Sequence, residues 1–120
     1  MKNILSILAV LGLFLVSTTA FAGEEGPMKL PATAKPEAVS HNKEGIASWN
    51  KKDYEGALMH FSAASKIDGS SGEIHFNEAI CYDKIGQHGV ATKHFGVALK
   101  QAGGNTKLLN SPILKGHLGM

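Results

Sequence analysis

A stretch of this chain repeats itself at a fixed interval, and that interval limits what the chain can fold into. His75 takes the place of His41 in the second copy, Ala79 that of Gly45, Ala91 that of Ala57, His94 that of His60, Phe95 that of Phe61 and Ala98 that of Ala64. A fixed period of about 34 residues marks a supersecondary unit that buries its apolar face by stacking on a copy of itself. Within the first copy, Ala57, Leu58, Phe61, Ala64 and Ser65 follow helical spacing, and no run shows the two-residue alternation of a strand. The expected fold class is all-α: two helical hairpins stacked as a short α-solenoid, with a C-terminal capping helix.

Local signals place the helices. The first is expected over about 38–51. The second starts near Asp53, a good N-cap, with Glu55 in the first turn beside the positive helix end. Residues 68–72, Asp-Gly-Ser-Ser-Gly, have loop composition and end it. The third helix is expected over 72–85, with Gly86 as a left-handed stop. The fourth runs from His88 or Gly89 to Gln101, and Gly103, Gly104 and Asn105 end it. Beyond it, Leu108, Leu109, Ile113, Leu114 and Leu118 form an apolar set; Pro112 suits a first helical turn and Ser111 an N-cap, which predicts a short helix over 112–118.

These residues carry a resemblance. In residues 72–105, Ala79, Tyr82, Gly86, Ala91, Phe95 and Ala98 match the pattern of a tetratricopeptide repeat (TPR); in residues 38–71, Gly45, Asp53, Tyr54, Ala57, Phe61 and Ala64 do so. The chain resembles a small exported bacterial TPR protein. It departs from the pattern at Ser48, where an aromatic is usual and Trp49 stands beside it, and at Gly69 and Gly103, where proline is common. The resemblance implies a groove lined by the first helix of each repeat, which holds peptide or protein segments. The groove-facing positions it implies are Asn42, Ile46, Trp49, Phe76, Asn77, Ile80 and Lys84. Trp49 reads either as an interface anchor or as a packing residue in place of the missing aromatic.

Outside the repeats, Lys2, the apolar run 4–16 and the Ala20-Phe21-Ala22 ending form the three-part pattern of a secretory signal peptide over residues 1–22. The apolar run is shorter than the ~20 residues of a spanning helix. The expected product is an exported chain, placed in the periplasm, with no stable membrane span after cleavage. Residues 23–37 hold Pro27, Pro31 and Pro36 and read as a flexible tether. The TPR domain is then 38–120, with a cap over 106–120.

Charge and chemistry narrow the function. A net charge of +2, spread along the chain, gives no nucleic-acid footprint. A single cysteine, Cys81, makes no internal disulfide and reads as a structural thiol. No nucleophile–base constellation or phosphate loop is present, so no enzyme activity and no cofactor are expected. The leading reading is a protein–protein interaction module, serving as a scaffold-like adaptor, assembly factor or accessory subunit. Two repeats are short for a solenoid, so a homodimer or a stabilising partner fits as well. A rival reading rests on His41-x-x-Glu44 and His75-x-x-Glu78. Each pair shares a helix face, and the four residues would make one divalent-metal site between the two first helices. His60 and His94 recur too, but lack partners at ligand spacing and read as half-buried packing residues.

Overall fold

The computed structural model describes residues 25–120; the expected signal peptide lies outside the described residues. Six helices and no strand occur among them: α1 (Pro36–Asn50), α2 (Tyr54–Ile67), α3 (Gly72–Lys84), α4 (His88–Lys100), α5 (Thr106–Leu109) and α6 (Pro112–Leu118). Adjacent helices pack as pairs, α1 on α2 and α3 on α4, and α2 stacks the first pair on the second. The all-α repeat architecture is thus as the sequence period implies.

Small residues at repeat-equivalent places let the helices approach. Ala57, Ala64, Ala91 and Ala98 are fully buried, with Phe61 and Phe95 beside them. A side-chain carbon at Gly45 would stand 2.5 Å from the Phe61 ring, and one at Gly72 would stand 2.6 Å from the Ala98 carbonyl oxygen. Both glycines therefore mark close helix contacts rather than turns. Phe76 meets Phe95 edge-on at 5.7 Å, a favoured aromatic geometry.

Polar side chains start most of the helices. Asp53 accepts from the Gly56 N–H, Ser71 from Ile74, Asn105 from Leu108 and Ser111 from Leu114. Helix α1 begins at Pro36, ahead of the expected Ala38, because proline suits the first turn, where its missing N–H costs nothing. The preceding Lys35 N–H is held by Asp68 at 3.0 Å, which ties the entry of α1 to the exit of α2.

The first helices of the two repeats end in the same way. Lys52 N–H bonds to Trp49 O and Asp53 N–H to Ser48 O; at the equivalent places of the second repeat, Gly86 N–H bonds to Asp83 O and Gln87 N–H to Tyr82 O. Both pairs form the Schellman closure, whose pivot takes a left-handed backbone. The second repeat places glycine there (Gly86, φ 88°), whereas the first places Lys52 at φ 63°.

The C-terminal segment covers the open side of the second repeat. Leu108 and Leu114 are fully buried, and His117 lies 4.8 Å from the Phe95 ring. Helix α6 matches the expected bounds. The short α5 turn before it has no counterpart in the sequence reading, since so brief an element carries no readable periodicity.

The largest difference lies before α1. Residues 25–34 are not a free tether. Residues 25–31 form a non-helical strap laid against the repeats and 32–34 a turn closed by the Ala34 N–H on Pro31 O at 3.0 Å, with Met28 buried in the core and Leu30 packed on it. Their proline-rich composition disfavours a helix, but it leaves two large apolar side chains two residues apart and backbone groups that find partners in the fold.

The unequal pivots generate a test. Lys52→Gly removes a left-handed strain of ~1 kcal/mol and should raise the thermal midpoint, whereas Gly86→Ala should lower it. A Lys52→Gly protein melting at or below the parent temperature would count against the repeat-equivalent closure.

Candidate peptide groove and histidine clusters

The groove between the first helices is built around two buried carboxamides. Asn77 Oδ1 accepts from the Met28 N–H at 2.8 Å, while Asn77 Nδ2 donates to Met28 O and to Asn42 Oδ1, both at 2.8 Å. Asn42 Nδ2 adds a second donor to Met28 O at 3.0 Å. Asn77 thus uses its oxygen and both amide hydrogens, and one backbone unit of the strap has its donor and its acceptor matched. Buried polar groups of this kind are costly when unpaired, so the strap and the asparagines satisfy one another.

Two further contacts hold the strap. Glu25 accepts from Ser111 Oγ at 2.6 Å and from the Ile113 N–H at 2.8 Å, at the start of α6. Asn105 Nδ2 lies 3.8 Å from Met28 Sδ and donates to Glu73 Oε2 at 2.7 Å. Gly26 passes over Trp49: a side-chain carbon there would stand 3.7 Å from the indole nitrogen.

The seven groove positions implied by the resemblance divide. Asn42 and Asn77 face the strap. Ile46 is half-buried and lines a hollow of ≈ 240 Å³ with Lys29, Leu30, Val39, Asn42 and Lys43. Trp49 is buried, edge-on to Tyr54 at 4.8 Å, with the Lys84 ammonium 5.9 Å from its ring. Phe76 and Ile80 belong to the buried core. Phe76 and Asn77 cannot share a direction, because consecutive helical residues diverge by about 100°. Glu25 and Met28 are absent from the implied set. The signal for them is faint: Met28 and Leu30 stand two apart in a stretch otherwise poor in large apolar groups.

The histidines assemble across helices. Among the described residues, three groups place two imidazoles and a carboxylate within 4.8 Å of one another: His41, Glu44 and His60; His75, Glu78 and His94; Asp83, His88 and His117. Each His-x-x-Glu pair is joined by the second-helix histidine of its own repeat, and none of these groups combines the two pairs. His60 and His94 therefore have carboxylate neighbours, Glu44 at 3.1 Å and Glu78 at 3.7 Å. Helical spacing within one element does not reveal such a partner; the period shared by all three positions does.

The electrostatics differ between the groups. Glu78 is buried and accepts from Ser62 Oγ at 3.3 Å. The bond to Glu78 holds the His75 pKa above its ordinary value against the opposing effect of burial, while burial lowers that of His94. Burial, helped by the Glu78 charge, pushes the Cys81 thiol up to about 12, so it is a poor nucleophile. In the third group, Asp83 Oδ1 receives His88 Nδ1 and His117 Nε2, both at 2.7 Å. Burial works to raise the Asp83 pKa, but the two histidine bonds outweigh it and leave the carboxyl below its ordinary 3.8. This cluster fastens α6 to α3.

No protein-family model matches the chain. It is similar to Sperm-associated antigen 1 of Homo sapiens, a TPR-containing protein, with 37% identity over 65 residues. That match covers 54% of this chain and 7% of the relative, so the chain spans a small fraction of the relative's length. The likeness points to TPR-like helical repeats and to a protein-interaction module at the coarsest level.

Two outcomes test the geometry. Asn77→Ala leaves the Met28 N–H without its acceptor, at a cost of ~1–3 kcal/mol, and should speed tryptic cleavage after Lys29 severalfold; an unchanged rate would contradict the clasp. The depressed Asp83 pKa stabilises the fold above its ordinary 3.8, and that contribution is lost as pH falls through the folded value. The protection factors of α6 amides, exchange taken relative to the intrinsic rate at each pH, should therefore fall more steeply on acidification in the native chain than in Asp83→Asn.

Proposed function

We propose that this chain is a non-catalytic protein-interaction module that receives an extended segment of a partner in the groove now filled by its own strap. The observation that carries this reading is the match of Asn42 and Asn77 to both backbone groups of Met28. Recognition through backbone groups tolerates many side chains, and flanking pockets then select among them. Met28 and Leu30 show what those pockets accept: unbranched or branched aliphatic side chains.

In this reading the module works as an adaptor, assembly factor or accessory subunit, and the strap competes with the partner. An intramolecular competitor is present at high effective concentration. Weak ligands are excluded, and a partner must offer either higher affinity or a second contact. The three-part pattern of residues 1–22 supports export and a periplasmic setting, where the partner would be met. The distant likeness to a TPR-containing protein supports the interaction role but names no partner for this chain.

A peptide copy of residues 25–34 provides the test. Met28→Asp should free the groove by placing a charge where Met28 is buried. By fluorescence anisotropy, the labelled peptide should bind the Met28→Asp chain at least tenfold more tightly than the native chain. Adding Asn77→Ala should abolish that binding. If the peptide ignores the folded Met28→Asp chain, the groove is not a receptor for extended backbone and the reading fails.

A further inference from the structure

All six histidines of the chain fall into the three groups described above, each with one carboxylate. Two of these groups are one constellation repeated: His41, Glu44 and His60 recur in the second repeat as His75, Glu78 and His94. Their geometry recurs as well. The paired rings stand 6.2 Å apart at 31° in both. A packing role would require only that the positions be filled, whereas both copies keep the same three donor types.

We propose that each of these two constellations is a binding site for a zinc-class divalent cation, held by two imidazole nitrogens and one carboxylate oxygen. Imidazole and carboxylate suit such an ion, and three protein ligands leave a position for water. At bond lengths of ~2.0–2.2 Å, tetrahedral ligand atoms stand roughly 3.3–3.6 Å apart. In the first site, Glu44 Oε2 lies 3.1 Å from His60 Nδ1 and 4.0 Å from His41 Nδ1. In the second, Glu78 Oε1 lies 3.2 Å from His75 Nδ1 and 3.7 Å from His94 Nδ1. These separations bracket the tetrahedral edge. The third group does not: both its contacts are 2.7 Å, the distance of closed hydrogen bonds, and it is no part of the proposal.

Two independent observations point the same way. His41 Nδ1 is buried and has no hydrogen-bond partner, a costly state that a cation would relieve. His75 Nε2 lies 2.8 Å from the Gly69 carbonyl oxygen. That contact anchors the ring with Nδ1 on Glu78, to which it is hydrogen-bonded at 3.2 Å and toward which it would turn its lone pair once an ion replaced the proton, and Ser62 holds that carboxylate by its other oxygen. A backbone carbonyl behind the imidazole is the usual support of a metal-ligating histidine. The site lies between the helices of one hairpin, on residues separate from the asparagine clasp, so it stands whether or not the groove receives a partner.

Equilibrium dialysis of the full chain against zinc chloride in a non-chelating buffer tests the assignment. The native chain should retain two equivalents. Glu44→Gln and Glu78→Gln should each retain one, and the double variant none, with affinity for the lost ion weakened at least tenfold. His88→Ala should retain two. Circular dichroism reports folding; should the buried Glu78→Gln fail to fold, Glu44→Gln and His60→Ala at the more exposed first site carry the same test. One equivalent or less on the native chain, full retention by a folded double variant, or loss in His88→Ala would each overturn the proposal.

Discussion

The Asn77 carboxamide is the interaction on which the arrangement of this molecule turns. It sits fully buried on α3, and every hydrogen-bonding group it owns is used, two on the strap and one on α1 through Asn42. Without the strap, its oxygen and one of its amide hydrogens would lose their partners, as would the Asn42 amide. Without the asparagines, Met28 would bury its backbone with nothing to bind. Each element offsets the cost of burying the other. The two repeats are thereby joined twice, once by α2 stacking on α3 and once by a strap that crosses both first helices.

The strap also bears on what covers the faces of these two repeats. A short solenoid leaves its end faces and its concave side open, and stacking alone buries too little apolar surface. Here α5 and α6 cover the last hairpin with Leu108 and Leu114, while Met28 and Leu30 fill the concave side. Glu25 then connects the two coverings at the first turn of α6. These contacts bury apolar surface that the two hairpins by themselves would leave open.

The repeat architecture is legible because it is written twice. Helix starts at Asp53, Ser71 and Ser111 and the stop at Gly86 each rest on a local chemical rule, and a local rule can be read from neighbouring residues. The stop at Lys52 breaks that rule and is visible only by superposing the repeats. What the sequence hides is pairing between distant elements. Nothing near Met28 indicates that Asn42 and Asn77 await it, and nothing near His60 indicates Glu44. The implied groove set divides for the same reason: a family pattern identifies the face of a helix, but whether Phe76 or Asn77 reaches the groove depends on a rotation that only the packed structure fixes.

The strap has a kinetic consequence. The hairpins close through neighbours in sequence, whereas Met28 meets Asn77 across 49 residues, and Glu25 meets Ser111 and Ile113 across 86 and 88. Long loops close late, after local structure has formed. Docking at Glu25 also needs the first turn of α6. The strap therefore docks on helices that are already formed, α3 for Met28 and the first turn of α6 for Glu25. The last folding step is then also the one that covers the Asn42 and Asn77 carboxamides.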